Sequence, residues 1–184
     1  PRPDFHRIPG LVFGFWVTLR RLPLQGVPNA EGLTGGPGAA ILSRAEGGMR
    51  FIFEQIRVGG DRNFGYLLGD RKAGVGVAID PSYTPEAMVE RARAQGLKLT
   101  HILNTHGHAD HTNGNAVAKA LTGAVVAGGP GHPGPVDLTL RDGDRVSFGA
   151  FTIHTWHVPG HCPDHLAFLV EGEDAAFTGD LLFV

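Results

Sequence analysis

The sequence predicts an α/β fold in which helices cover a β-sheet. Short apolar segments of strand length come first, and segments of helical and strand character then alternate along the chain. Glycine and proline, which number 28 and 13 among the 184 residues, separate these segments in the way that turn residues do. A chain of this length suits one globular domain. None of its apolar runs reaches the roughly 18–20 residues that a bilayer-spanning helix needs.

Residues 1–48 differ in composition from the rest of the chain. They are rich in glycine and proline, carry few charges and show no sustained helical or strand periodicity. The apolar run 11–19 could serve as a short signal-peptide core, but no small-residue cleavage pattern follows it promptly. We therefore interpret residues 1–48 as a poorly ordered extension, or as translated sequence upstream of a true start at Met49, and expect the domain to occupy 49–184.

Regular elements begin after Met49. The first three strands are predicted at 51–58, 64–68 and 75–79. Thr84 is the predicted N-cap of a helix that starts at Pro85 and ends before Gly96, because proline suits the first helical position and glycine suits the position after the end. The later elements are a strand at 99–103, a helix at about 113–121, and strands at 125–126, 136–140, 145–148, 151–157, 166–170 and 175–177.

The segment 104–111, NTHGHADH, carries the most informative pattern. It directly follows the strand at 99–103, at the carboxyl end where open α/β sheets bind ligands. If the chain stays extended there, His106 and His108 project to the same side and can reach one ion. Asp110 and His111 lie where the chain turns toward the next helix, so they can face a second ion. Because imidazoles and carboxylates are the natural ligands of zinc and similar metals, the segment predicts a metal site.

Two further segments complete this pattern. HVPGH at 157–161 follows an apolar strand and ends in a Pro-Gly turn that presents His161 at the rim of the sheet. FTGD at 177–180 likewise consists of a strand end, a glycine and then an acid, Asp180. A carboxylate in that position can bridge two cations. Neither segment would be convincing without the histidine cluster.

Together the three segments resemble those of the metallo-β-lactamase-fold superfamily. The resemblance rests on HxHxDH at 106–111, PGH at 159–161 and GD at 179–180, and it runs from about residue 49 to the C-terminus. Within the superfamily, the strings NTHGHADH, HVPGHCPDH and FTGDLLF are most similar to those of the glyoxalase-II-like and persulfide-dioxygenase-like branch. The β-lactamases themselves are more distant.

The resemblance implies an αββα sandwich with a dinuclear zinc site. The implied ligands are His106, His108 and His161 for the first metal, Asp110 and His111 for the second, and Asp180 as the bridge. Such proteins close the second site with a further histidine well after the GD motif, whereas this chain ends at Val184. We therefore expect a truncated chain that holds the first half of the sandwich and part of the second, without that last ligand.

The implied chemistry is hydrolysis. Two cations roughly 3.5–4 Å apart lower the pKa of a shared water from about 16 toward 7 and so supply hydroxide at neutral pH. The leading hypothesis is a thioesterase-like enzyme, similar to hydroxyacylglutathione hydrolases, that attacks a thioester or related acyl bond. Asp110 would be catalytic, because it would orient the nucleophile while serving as a ligand.

Two alternatives stay open. A mononuclear iron persulfide dioxygenase would use His106, His161 and Asp180 as two histidines and one carboxylate with open coordination positions. A non-catalytic or decayed fragment would bind metal loosely or only for stability. Iron with oxygen uptake would indicate the first alternative, and one metal or none without turnover would indicate the second.

Charge and cysteine content narrow the classes of partner. Lysine plus arginine number 16 and aspartate plus glutamate 18, and the resulting net charge of −2 disfavours nucleic-acid binding, including a phosphodiesterase role on nucleic acid. The single cysteine, Cys162, excludes an internal disulfide. We expect a cytoplasmic protein with a small-molecule acyl or thiol-derived substrate and no membrane partner, and the oligomeric state is open.

Five residues near the motifs are candidates for supporting roles. Asp80, at the end of the third strand, is placed to hydrogen-bond a ligand histidine, and Asn104 and Thr105 are placed to support the ligands. His165 is interpreted as a partly exposed strand histidine. Cys162 is interpreted as a small residue that fills the turn beside His161.

Overall fold

The computed structural model describes residues 50–60, 63–173 and 175–182. Within these residues, two β-sheets pack face to face and helices cover the outer face of the first sheet. The α/β fold class predicted from the sequence is therefore confirmed, as the helix-covered half of a sandwich plus the facing sheet. The extension 1–48 and the proposed start at Met49 lie outside the described residues.

The first sheet combines antiparallel and parallel strands. In the described part of the chain its six strands run in spatial order from β1 to β6: β1 (Phe51–Gly59), β2 (Asn63–Asp70), β3 (Val75–Ile79), β4 (Lys98–Leu103), β5 (Val125–Gly128) and β6 (Leu138–Thr139). Strands β1 to β3 pair antiparallel, and β3 to β6 pair parallel. The carboxyl ends of β3, β4 and β5 therefore meet at one edge of the sheet.

Three helices accompany this sheet in the described residues: α1 (Pro85–Ala94), α2 (Ala109–Thr112) and α3 (Asn115–Thr122). Met88, Val89 and Ala92 form the apolar face of α1, and they pack in one core with strand residues such as Leu67 and Ile102. No helix in the described part of the chain has the length and apolar character needed to cross a bilayer.

The second sheet is antiparallel throughout. Its four strands among the described residues are β7 (Arg145–Phe148), β8 (Phe151–His157), β9 (Leu166–Val170) and β10 (Ala175–Phe177), in the order β10-β9-β8-β7. Ile153 of β8 and Phe168 of β9 face Val77 and Leu103 of the first sheet, and all four side chains are fully buried. This core holds the two sheets together between their ends.

Two elements differ by a few residues from their predicted bounds. Strand β2 extends to Asp70, two residues beyond the predicted end at 68, because the carboxylate of Asp70 accepts the amides of the following turn and holds the strand end in place. The helix expected from about residue 113 starts at Asn115, and the separate short helix α2 precedes it. Gly114 separates the two helices, since a side chain there would collide with the carbonyl of Ser82.

The buried carboxylate of Asp70 ties the two sheets together at the end of β2. It accepts hydrogen bonds from Arg50 Nε and Nη2 at 2.9 and 2.8 Å and from the amides of Lys72 and Ala73 at 3.0 and 3.2 Å. A further bond of 2.8 Å comes from the amide of Ala150, in the turn between β7 and β8 of the second sheet. The Arg50 guanidinium holds the pKa of the Asp70 carboxyl well below its usual range, although burial acts in the opposite direction.

We expect Asp70→Asn to lower the free energy of unfolding by about 2–4 kcal/mol at pH 7, because charged hydrogen bonds are lost and a buried donor is left unpaired. The folded-state pKa of Asp70 is depressed, so its contribution is complete above about pH 4, the range of an unfolded aspartate, and is lost as the pH falls further. Denaturant unfolding between pH 7 and pH 2 should therefore show the difference between variant and parent narrowing below about pH 4.

Glu90→Gln is the matched control, since it neutralises an exposed carboxylate on α1. It should leave the free energy of unfolding within about 0.5 kcal/mol of the parent. A stability difference for Asp70→Asn that stays constant down to pH 2 would contradict the role assigned to its charge.

Candidate metal centre

The predicted site residues lie where strand ends from both sheets meet. Asp80 follows β3, the 106–111 segment follows β4, His161 follows β8 and Asp180 follows β10. The amide of Leu166, at the start of β9, donates a hydrogen bond of 2.6 Å to the carbonyl of Thr105. This bond joins the second sheet to the loop after β4, so the two sheets are connected at the site itself.

His106, His108 and His161 form the first group of ligand-type atoms. His108 Nδ1 lies 3.0 Å from His106 Nε2 and 3.0 Å from His161 Nε2. The His106 ring stands nearly perpendicular to the other two, at 79° and 89°. His106 and His108 therefore direct nitrogens to one point, as expected from the extended backbone after Thr105. His161, which comes from a different loop, directs its Nε2 to the same point.

His106, His111 and Asp180 form the second group. Asp180 Oδ1 lies 3.3 Å from His111 Nε2, whereas Asp180 Oδ2 lies 3.6 Å from His161 Nε2 and 4.0 Å from His106 Nε2. One carboxylate thus turns one oxygen toward each group. This is the arrangement expected of a bridging carboxylate.

Asp110 is the one predicted site residue that stands apart. Its Oδ2 lies 3.7 Å from His111 Nε2, but Asp110 belongs to neither group of atoms that lie within 4.8 Å of one another in the described chain. Its side chain is 44% exposed. The structure therefore places Asp110 beside the second group, on the solvent side.

Asp80 fixes the orientation of two of the histidines. Its Oδ1 accepts the amide of Thr105 at 2.9 Å, and its Oδ2 accepts Thr105 Oγ1 at 2.6 Å and His111 Nδ1 at 3.0 Å. Because the Thr105 hydroxyl proton points to Asp80, Oγ1 accepts in turn from His106 Nδ1, which lies 3.1 Å away. This network turns Nε2 of His106 and His111 away from Asp80 and toward the other ligand-type atoms, and it leaves the Nε2 lone pair of His106 free to bind a ligand. The predicted contact of Asp80 with a ligand-type histidine is confirmed.

The electrostatic field of the site favours positive charge near His111. Burial opposes a charge on this ring, yet the carboxylates of Asp80 and Asp180 outweigh it and raise the pKa of His111 to about 10. Burial lowers the pKa of His106 to about 4, and the neighbouring His111 adds to this effect. His106 is therefore a neutral imidazole at neutral pH, whereas the surroundings of His111 attract a cation.

The donor set fits divalent metal ions. A single proton on His108 Nδ1 can lie toward only one of its two nitrogen neighbours, so hydrogen bonds among these three nitrogens do not by themselves explain why all three converge. Nitrogens that bind one zinc at about 2.0–2.1 Å in a tetrahedron lie about 3.3–3.4 Å apart, which is close to the separations found here. Imidazole and carboxylate ligands also suit iron, so the donor set does not select one metal.

Gly179 brings Asp180 to the site by a close approach of the backbone. Its φ is +49°, and a Cβ at this position would lie 2.6 Å from Thr105 Oγ1 and 3.0 Å from His165 Nε2. Only glycine allows the chain to pass the hydroxyl that links His106 to Asp80. The glycine of the GD motif is thus part of the site geometry.

The interpretation of His165 as a partly exposed strand histidine was wrong. The residue precedes β9, is fully buried, and stacks on His106 with ring centroids 4.9 Å apart and an angle of 18°. Neither ring nitrogen has a hydrogen-bond partner among the described residues. The spacing of four residues from His161 is the only signal that the sequence held, because burial here depends on the facing sheet.

The supporting roles of Asn104 and Cys162 agree with the structure. Asn104 Nδ2 donates to the carbonyl of His111 at 3.3 Å, and its amide group pairs with that of Asn115. Burial and the Asp164 carboxylate raise the pKa of Cys162 to about 12, so its thiol stays protonated. Asn63 and Ser82, which contact Asp110, carried no signal in the sequence.

Comparison with known proteins finds relatives in the family that the sequence motifs resemble. A family model described as the metallo-beta-lactamase superfamily matches residues 66–184. Hydroxyacylglutathione hydrolase from Methylococcus capsulatus is 40% identical over 125 residues, which make up 66% of this chain and 48% of that protein. Human mitochondrial persulfide dioxygenase ETHE1 is 36% identical over 154 residues, or 82% of this chain and 56% of that protein.

A solved structure shares the same architecture. The crystal structure of ETHE1 from Myxococcus xanthus aligns with a TM-score of 0.67 and 31% identity, over 72% of this chain and 59% of that one. The chain thus spans about half the length of the curated relatives that it matches.

We expect Gly179→Ala to weaken zinc binding by about tenfold or more, because the new methyl group displaces Thr105 and with it the orientation of His106. Gly172→Ala is the matched control: its φ is +73°, but a Cβ there meets nothing within 4 Å. Both variants should lose about 1–2 kcal/mol of stability from the left-handed backbone conformation. Zinc titration should separate them, and equal zinc affinities would contradict the steric role of Gly179.

Proposed function

The chain belongs to the metallo-β-lactamase superfamily, and we propose that it carries the metal centre of a hydrolase that cleaves a thioester or related acyl bond in a small molecule. The observation that carries this proposal is the carboxylate of Asp180, which turns one oxygen toward each of two groups of ligand-type atoms. Two neighbouring cation positions are the arrangement that metal-assisted hydrolysis uses.

The proposed ligand assignment follows the first group, and at the second it keeps the pair Asp110 and His111 that the sequence motif implies. His106, His108 and His161 would hold one divalent cation, Asp110 and His111 would hold a second, and Asp180 would contact both. When bound, such cations supply Lewis acidity and lower the pKa of water to about 7. Zinc is the proposed metal, because histidine and carboxylate are its usual ligands in hydrolytic sites.

The residues of the chain have distinct roles in this proposal. Asp80 and Thr105 hold His106 and His111 in the tautomer that leaves Nε2 free. Asp110, half-exposed at the solvent side, accepts a hydrogen bond from the attacking water and orients it toward the acyl carbon. His106 and the stacked His165 exclude water from the inner side, so the reaction takes place at the outer rim.

The relatives support an acyl-thiol substrate. Several similar proteins are named hydroxyacylglutathione hydrolase, at 40–43% identity over about two thirds of this chain. The substrate of this chain is proposed by analogy with these names, because the chain spans about half of each relative. The cytoplasmic location expected from the sequence stays a prediction.

One observation favours a second candidate, a mononuclear iron dioxygenase that acts on persulfides. His106, His161 and Asp180 also form a set of two histidines and one carboxylate, with oxygen–nitrogen distances of 4.0 and 3.6 Å. A relative named persulfide dioxygenase matches 82% of the chain. A non-catalytic fragment, the third alternative, predicts one bound metal ion or none, without turnover.

We expect the chain, loaded with two equivalents of zinc, to hydrolyse members of a panel of acyl-thioesters, and His106→Ala to lower kcat/KM by at least about 1000-fold because both groups lose a ligand. His154→Ala, on the outer part of β8 beside Glu171, is the control and should keep the parental rate. Release of free thiol, followed colorimetrically, measures the reaction.

Elemental analysis of the same preparation distinguishes the candidates. Two zinc ions per chain with thioester cleavage support the hydrolase. One iron per chain with oxygen uptake on a persulfide would support the dioxygenase instead of the hydrolase. Bound metal with neither activity would support the non-catalytic fragment.

A further inference from the structure

Asn63 makes two hydrogen bonds to Asp110 from a distant part of the chain. Its Nδ2 lies 2.9 Å from the Asp110 carbonyl oxygen and 2.9 Å from Asp110 Oδ2. Both partners are acceptors, so the amide must direct its nitrogen toward Asp110, since the reverse orientation would bring three oxygens together. Asn63 stands at the first position of β2, and a rigid sheet therefore determines where its side chain points.

Ser82 contacts the same residue from another side. Its hydroxyl donates to the Asp110 carbonyl oxygen, and the residue is 1% exposed. The φ of Ser82 is +49°, a left-handed conformation that residues other than glycine rarely adopt. The local fold maintains this strained backbone in the position from which the hydroxyl reaches Asp110.

The helix that carries Asp110 cannot hold it in place alone. α2 spans only Ala109–Thr112, and its N-cap residue, His108, forms no side-chain capping bond. A helix of one turn is not stable by itself, because too few backbone bonds offset the cost of nucleation. The carbonyl of Asp110 receives bonds from Asn63 and Ser82, so side chains outside the helix fix this turn.

Gly60 lies close to both the Asn63 amide and Tyr83, the residue after Ser82. Gly60 has a φ of +61°, and a Cβ there would lie 2.9 Å from Tyr83 Cε2 and 3.4 Å from the Asn63 amide. A side chain at this position would therefore meet the Tyr83 ring and the Asn63 amide. Tyr83 directly follows Ser82, so both contacts to Asp110 are parts of one packed unit.

We propose that Asn63 and Ser82 form a clamp that positions the Asp110 carboxylate and thereby sets the affinity of the second cation position without affecting the first. The inference rests on the proposed assignment of Asp110 and His111 to that position. The side-chain contacts that join the first group, His106, His108 and His161, do not involve the clamp, and of these three residues only His108, the N-cap of α2, borders the turn that the clamp holds. Asn63 and Ser82 are positioning residues, because they act through Asp110.

The test is a zinc titration that resolves the two binding steps by calorimetry and by chelator competition. Asn63→Leu keeps the side-chain volume but removes both hydrogen bonds, and Ser82→Ala removes the third. We expect each to weaken the second binding step by about 10–100-fold and to leave the first within about twofold. Asn113→Leu is the matched control, since it makes the same change at an exposed position three residues after Asp110.

Each outcome decides the inference. Selective weakening of the second step by Asn63→Leu or Ser82→Ala, with Asn113→Leu unchanged, supports the clamp. Equal weakening of both steps, unchanged binding, or a parent protein that binds a single zinc overturns it. If the parent binds two zinc ions and His106→Ala binds none while the clamp variants match the parent, only the clamp fails. If the parent binds no zinc, the proposed function fails as well.

Discussion

The arrangement of the centre depends on one buried carboxylate, that of Asp80. Burying a charge is costly unless hydrogen-bond donors surround it, and here the Thr105 amide, the Thr105 hydroxyl and the His111 ring fill that role. Through these bonds one carboxylate acts on a histidine of each group, His106 by way of Thr105 and His111 directly. The orientation of His106 and His111 therefore depends on hydrogen bonds within the folded chain.

The two sheets are connected by polar contacts at both ends and by an apolar core in between. At the site, the Leu166 amide binds the Thr105 carbonyl. At the other end of β2 from Asn63, Asp70 accepts the amide of Ala150. Between them lie large buried side chains such as Phe168 and Ile153. Because the ligand-type residues come from both sheets, these contacts fix the positions of His161 and Asp180 relative to the loop after β4.

How far the sequence predicts this molecule depends on whether the determining contacts are local. The strands at 75–79, 145–148, 151–157, 166–170 and 175–177 follow from alternating or continuous apolar residues between glycines, and their predicted bounds agree with the structure. The convergence of His106, His108, His111, His161 and Asp180 was predicted from strand-end motifs, and the structure brings these residues together.

The remaining features depend on contacts between distant segments. Asn63 is 47 residues from Asp110 and Ser82 is 28 residues from it, so no local pattern could reveal the clamp. The burial of His165 likewise follows from the packing of the second sheet against the first. The short helix α2 has no signature of its own, because side chains from elsewhere stabilise its single turn.

The stacked rings of His165 and His106 close the inner side of the site. Both rings have no accessible surface, whereas His108 and His161 are exposed and Asp180 is intermediate. Within the described part of the chain, the ligand-type atoms are therefore open to solvent on the side of His108, His161 and Asp180. A chelator that competes for a bound metal would therefore reach the imidazoles of His108 and His161 before that of His106. The depth of each ring thus sets the order in which the ligands would be displaced.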